Sequence, residues 1–384
     1  MMTIKFLSAL VFTLLFLAFG FIGCNYSNGK QVHSTVDTIP KPDISLPGNF
    51  STQTKLKFDS ALIPSFFKQY PKLKPYEKNL LKFYRARAFT YAWFDENGLL
   101  EQAGNLFNKI ENIHEEGVTS QLFYEDALHI MMDNDSSEAF TEKENPSVEL
   151  MLTAQYFFYA QKIWNGISDK ALHEIDWDLP RKKLSYEAIL DSLLEAPSSA
   201  FMRTEPVFRQ YSLLKANLKK YRSIQDEGSW KTISPDKKAY RKGDSSKVIA
   251  EIRDHLFLIG DLPLKNNSPV YDDALETAVK KFQHRYGLTE DGIIGKSLIE
   301  ELNYPLKKRI EQLIVNMERC RWLPLALRKD YFVVNIPEYR FHAFENDTLA
   351  WSMKVVVGTD LNKTAVFSGM MSNVVFSPYW NVPK

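Results

Sequence analysis

Two cysteines, seven histidines and three serine–lysine spacings are the groups in this 384-residue chain that could support covalent or metal chemistry. A cysteine nucleophile has to reach the thiolate, which takes a base such as histidine within reach. Cys320 sits in "NMERCRWLP" and the closest histidine along the chain is His342, so Cys320 reads as a small, half-buried helix residue. The histidines are His33, His114, His129, His173, His255, His284 and His342. No two fall within four residues, so the helical pair that holds zinc in hydrolases is missing, and neither a metal nor a cofactor is expected. "SFFK", "SLLK" and "SPDK" have the S-x-x-K spacing of a serine acyl-transfer site, but the S-D-N and K-T-G elements that complete it are absent.

The charge balance removes a further class. Lys and Arg number 48 against 47 Asp and Glu, so no overall field gathers a polyanion, and nucleic-acid binding is excluded. The cluster Lys237, Lys238, Arg241 and Lys242 reads as a solvated linker. A chain of this length, 45% hydrophobic and 25% charged, is expected to fold into two or three globular domains.

The N-terminus carries an address. Lys5 precedes the apolar run "FLSALVFTLLFLAFGFIG", which predicts a secretory signal over residues 1–23. "FIGC", Phe21 to Cys24, resembles the lipobox of bacterial lipoproteins, with Phe where Leu is usual. The resemblance implies cleavage before Cys24 and lipid on its sulfur. The alternative is a retained membrane-spanning anchor, since about 18 apolar residues can cross a bilayer. Either way the rest of the chain is expected in the cell envelope, on the periplasmic side. Residues 24–50, polar and rich in Ser and Pro, read as a flexible tether. With Cys24 lipidated, Cys320 has no partner for a disulfide.

The elements that would position any site follow from periodicity. Residues 74–224 read as an α-helical domain. Leu99, Ala103, Leu106, Ile110 and Ile113 form one apolar stripe. "NPSVEL" opens another helix, with Asn145 as its cap and Pro146 in the first turn, running to Gly166. Further helices are expected over Tyr186–Leu194 and Val207–Tyr221. Residues 240–303 read as a smaller helical unit: one helix lined by Val248, Ile252, Leu256 and Ile259, a second over Asp273–Tyr286, and a short third beginning near Ser297. Gly292 and Gly295 are expected in a turn with positive φ.

"VKKFQHRYGLTEDGIIGKSLIEEL" resembles the three-helix peptidoglycan-binding module, whose hallmark is F-Q-x-x-x-G-L-x-x-D-G-x-x-G before a helix. Phe282, Gln283, Gly287, Leu288, Asp291, Gly292 and Gly295 supply that motif. Phe282 is expected in the core and the glycines in turns, so the family implies binding while no single side chain demonstrates it.

From Arg309 the pattern changes. "RIEQLIVNMERCRWLP" is an amphipathic helix, and the period then falls to two over "YFVVNIP", "RFHAF" and "LAWSMKVVVG", with "NVVFSP" as a last strand. "NMERCRWLP", with Cys320 where Trp is usual, "YFVVNIPEYRFHAF", "VVVGTDLNKTAVFS" and "VVFSPYWNVP" together resemble the start of an L,D-transpeptidase catalytic domain. The helical region, with "FYRARAFTYAWFDENGLL" and "LMLTAQYFFYAQKIWNG", is similar to the scaffold domain of the same large periplasmic enzymes. The resemblance implies a multidomain α+β protein: a helical scaffold, the three-helix module, and over 309–384 the first part of a mainly β catalytic domain. It implies cross-linking of peptidoglycan stem peptides through a cysteine thioester. The family's late H…S-x-G-C motif has no match here, so no catalytic residue is expected in this chain, and the nucleophile and its histidine are expected beyond Lys384. The alternative is an inactive, envelope-anchored peptidoglycan-binding protein.

Overall fold

A computed structural model describes residues 55–119, 122–136, 144–175, 177–195, 206–208, 210–323, 329–359, 361–377 and 379. The signal, Cys24 and the tether lie outside them. Chain order begins with α1 (Leu62–Gln69), a 3-10 segment (Pro71–Tyr76) and α2 (Glu77–Ala86). A tight hairpin of β1 (Phe94–Asp95) and β2 (Gly98–Leu99) follows, then α3 (Glu101–Glu111), a 3-10 turn (Ile113–Glu116) and α4 (Glu125–Ser136).

The next helix, α5 (Pro146–Ala160), organises this half. Asn145 caps it, its side-chain oxygen accepting the Ser147 N–H at 3.0 Å and the Val148 N–H at 3.4 Å. Every residue from Val148 to Ala160 is buried. A helix apolar all round has to be a core element, and α1, the first 3-10 segment, α2, α3 and α4 all pack on it. It widens into a π turn (Gln161–Asn165) and stops at Gly166, whose φ is +70°. A Cβ there would lie 2.1 Å from Glu318 Oε1, so glycine is required by conformation and by close approach together.

After α6 (Asp169–His173), β3 (Trp177–Asp178) and α7 (Tyr186–Glu195), α8 (Gln210–Asp226) leads out of the first core. A second core is built from α8, α9 (Lys247–Leu258), α10 (Asp273–Arg285), α11 (Lys296–Leu302) and α12 (Leu306–Trp322). Tyr211, at the start of α8, meets Arg321 at the end of α12, while Tyr221 near its end meets Tyr286, which Arg309 of early α12 also covers. The two long helices therefore run antiparallel along each other, and the residues between them form an excursion from that pair.

The C-terminal region is a sheet in the order β4 (Tyr331–Asn335), β5 (Arg340–Glu345), β6 (Thr348–Lys354). Both pairings are antiparallel, and β5 and β6 turn over Asn346 and Asp347, both at positive φ, as a two-residue hairpin demands. Phe332, Val334, Trp351 and Met353 share one sheet face and are each about half exposed. The fold is thus mixed, with helical N-terminal and middle regions and a sheet-containing C-terminal region.

The expected strand over "NVVFSP" is not formed: no strand among the described residues lies beside it, and Val374, Val375 and Phe376 are exposed. The last strand is instead β7 (Val366–Phe367), which pairs in parallel with β3, some 190 residues earlier. Strand identity depends on a partner, and this one comes from the helical region.

Candidate functional site

In the three-helix unit the motif side chains turn inward. Phe282 is 1% exposed. The Gln283 amide nitrogen, on α10, donates to Asp291 Oδ1 at 2.8 Å and to the Ile293 carbonyl at 3.1 Å, and its oxygen accepts the Gly292 N–H at 2.9 Å. Asp291 Oδ1 also accepts the Ile293 N–H, and this bond with the Gln283 amide holds its carboxyl below the usual range. Leu288 donates its N–H to the Gln283 carbonyl at 2.8 Å. Gly287 and Gly292 have φ of +67° and +69°. Gly295 corrects the expectation of positive φ: at φ −103°, ψ −172° it is extended backbone that caps α11. The motif's polar groups are consumed in closing the loop onto α10. Replacing Gln283 by Leu strands the Gly292 N–H and Asp291, and should cost about 2–3 kcal/mol by chemical denaturation with the α8–α12 pair still folded.

Cys320 is buried on α12 at 6% exposure. Burial pushes its thiol up to about 11 despite Arg321 and Lys182 nearby, and lowers the Lys182 ammonium to about 8. At neutral pH the sulfur keeps its proton, which is the reverse of what a nucleophile requires.

The neighbouring Arg321, which periodicity does not single out, is the centre of a buried joint. Its guanidinium is 1% exposed. Nε donates to the Ile163 carbonyl at 3.0 Å, Nη2 to the Tyr211 hydroxyl at 2.9 Å and to the Glu116 carbonyl, and Nη1 to Glu318. Tyr211 donates to Glu116 Oε2 at 2.7 Å, and Lys215 pairs with Glu116. Glu318 Oε1 accepts the Ile167 N–H at 2.7 Å and Trp322 Nε1–H at 2.8 Å. Trp322 meets Trp177 edge-on at 4.9 Å. The 3-10 turn, the π turn, β3 and α8 are thereby fastened to the helix that leads into the sheet.

On the sheet, His342 Nδ1 lies 2.7 Å from Ser352 Oγ and Nε2 lies 3.0 Å from Glu338 Oε2. His342 and Ser352 are cross-strand partners, so the contact clasps β5 to β6. Among the described residues one group could in principle hold a cation: Glu111, Glu125 and His129 bring ligand atoms within 4.8 Å. A search for paired histidines passes over it, and Glu111 already takes His129 Nε2 at 2.7 Å.

Three family models match the chain. A scaffold domain covers residues 78–218, the family described as "Putative peptidoglycan binding domain" covers 249–302, and the L,D-transpeptidase catalytic domain covers 329–384. A Haemophilus influenzae protein named "Putative L,D-transpeptidase" is 36% identical over 73 residues, which are 19% of this chain and 14% of that protein. The match therefore spans about a seventh of the relative's length. In order along the chain, residues 78–218 are thus similar to a scaffold domain, 249–302 to a peptidoglycan-binding domain and 329–384 to an L,D-transpeptidase catalytic domain.

Proposed function

We propose that the chain is the anchored, wall-binding and scaffolding portion of a peptidoglycan L,D-transpeptidase. The carrying observation is the match of residues 329–384 to the catalytic domain, following the scaffold and peptidoglycan-binding matches. In this reading a cysteine thiolate attacks the carbonyl of the L,D bond in a donor tetrapeptide. The thioester forms as the C–N bond breaks, and terminal D-alanine leaves with a proton on its amine. An amine of a neighbouring stem peptide then takes the acyl group and returns the thiol. The nucleophile and its histidine lie in sequence following Lys384. Two observations support this: Cys320 is buried with its thiol raised, and the sheet holds Phe332, Val334, Trp351 and Met353 half exposed, an uncovered apolar face of the kind that packs in a finished domain.

The residues 240–303 unit holds peptidoglycan, with Phe282 and Gln283 of α10 holding in place the loop that carries Gly287, Leu288, Asp291, Gly292 and Gly295. Cys24 carries the lipid that keeps the protein at the periplasmic side of the envelope. No helix among the described residues is long and apolar enough to cross a membrane.

Carbapenem acylation read by intact-protein mass tests the reading. The 384-residue chain should gain no adduct, and the chain extended to its natural stop codon should gain one adduct, on a cysteine in the added segment. An adduct on Cys320 overturns the reading of that residue as inert and of the nucleophile as lying elsewhere; a stop codon directly after Lys384 overturns the proposal and leaves the inactive peptidoglycan-binding protein.

A further inference from the structure

The balanced total charge conceals a segregation. Residues 55–87 hold nine Lys and Arg against Asp59 and Glu77, which leaves 39 basic against 45 acidic residues elsewhere. All of these basic side chains except Arg87 belong to exposed residues. On α2, Lys78, Lys82 and Arg85 recur at the spacing of one helix face, and with Glu77 and Leu81 they line a groove of about 430 Å³. The acidic neighbours are few. Lys74 pairs with Glu77 at 2.9 Å, Lys82 with Glu187 at 3.3 Å and Arg87 with Asp191 at 2.8 Å. Lys78 and Arg85 have no acidic partner among the described residues.

The position of this face is set by backbone pairing. Phe58 donates its N–H to the Phe89 carbonyl at 3.1 Å, Tyr91 donates to the Leu56 carbonyl at 3.0 Å, and Lys57 bridges Thr90. The chain thus joins the fold immediately past the end of α2, beside Arg85 and Arg87. Lys55 and Lys57, both exposed, stand on this joining stretch.

We propose that this face docks on an anionic phospholipid surface, holding the helical region flat against the membrane from which the chain is tethered. The inference deepens the anchoring reading at Cys24 and rests on it for the choice of a membrane as partner. Lysine and arginine side chains near an anionic headgroup layer are attracted additively, over a range of about one Debye length. Three cations on one face of α2, Lys78, Lys82 and Arg85, with exposed Lys55 and Lys57 on the stretch that pairs just past the end of that helix, suit an extended anionic surface better than a single small anion.

The test uses the full chain with vesicles of phosphatidylcholine, or of phosphatidylcholine with one third phosphatidylglycerol, and reads lysine acetylation by a water-soluble ester. Phosphatidylglycerol vesicles should slow acetylation of Lys78 and Lys82 about threefold relative to phosphatidylcholine vesicles, and salt near ~1 M should restore the rate. Lys296, 86% exposed on α11, should be unaffected, and Arg85→Glu should weaken the protection. Equal rates with both vesicles overturn the proposal. So does protection by soluble dextran sulfate with none by phosphatidylglycerol vesicles, which would indicate a wall polymer. Co-sedimentation with pure phosphatidylcholine reads the anchor separately. Sedimentation without lysine protection sinks the docking face alone, and protection by phosphatidylglycerol without such sedimentation upholds the face and sinks the anchor.

Discussion

A chain carrying Glu149→Ala is expected to lose its cooperative unfolding transition. Glu149 is fully buried on α5. Its Oε1 accepts the Tyr84 hydroxyl and the Ala92 N–H, both at 2.6 Å, and Oε2 accepts the Trp93 N–H at 3.0 Å. Tyr84 also lies 2.6 Å from Thr153 Oγ1, which accepts Trp93 Nε1–H at 2.8 Å. One carboxylate thus pins the 88–95 segment to the central helix. Each stranded buried donor costs about 1–3 kcal/mol, so losing three acceptor contacts removes about 4–6 kcal/mol, close to the whole stability of a typical domain.

The same group imposes a pH dependence. Burial raises Glu149 from its ordinary value of 4.5 to about 7, against the opposing bonds from Tyr84, Ala92 and Trp93. Between those two pH values the folded chain holds a proton that the unfolded chain releases. The contribution is therefore complete below about pH 4.5 and is lost as pH rises through 7, amounting to about 3 kcal/mol. Tyr84 can accept the Glu149 proton while donating to Thr153. Urea unfolding across this range should show stability falling with rising pH, and Glu149→Gln should abolish that slope; a slope surviving in the Gln variant would exclude Glu149 as its source.

Arg321→Ala is the second large effect. It leaves the Ile163 and Glu116 carbonyls, Tyr211 and Glu318 without their shared donor, at a cost of about 3–5 kcal/mol. Hydrogen exchange should rise first in α12 and in the π turn, while the α10 and α11 amides stay protected. Arg321→Lys should not rescue, because a point ammonium cannot reproduce a fork that serves four acceptors from three nitrogens. Uniform exchange across the chain in the Ala variant would show that Arg321 supports global stability with no particular role at this joint.

Local pattern made much of this fold legible. The Asn145–Pro146 start of α5, the Gly166 stop and the middle of the α3 stripe, Ala103, Leu106 and Ile110, each depend on neighbours a few residues away and are found where spacing puts them, whereas the stripe's ends are not helical: Leu99 lies in β2 and Ile113 in the 3-10 turn. The alternation over β4 to β6 located the sheet for the same reason. What failed is non-local. β7 pairs with Trp177–Asp178, and "NVVFSP" goes unpaired, because a strand needs a partner that its own alternation does not specify. Arg321 lies inside "NMERCRWLP", yet nothing in the spacing reveals that three separate segments converge on it. Glu149 did leave a trace, a lone acid in the apolar run "VELMLTAQYFFYA", although its donors, at positions 84, 92 and 93, are invisible from there. For the peptidoglycan-binding motif, the residue types were legible and their task was not: Gln283 and Asp291 resemble ligand-binding groups and are spent on the loop. Chemistry was the least legible part, since the one cysteine in a described helix is buried with its thiol raised.

The antiparallel contact of α8 with α12 has a consequence for how such a chain can change. Residues 227–305 leave and rejoin the fold at neighbouring points, so they behave as a cassette hung on an already closed hairpin. The entropy of bringing the ends together is met by the helix pair, which makes the cost of a longer or shorter cassette grow only slowly with its length. The unit can thus vary in the length of its connections to α8 and α12 at small cost, provided that whatever stands there still covers the apolar faces of Leu218, Tyr221, Ile224, Ile310 and Met317 that it buries.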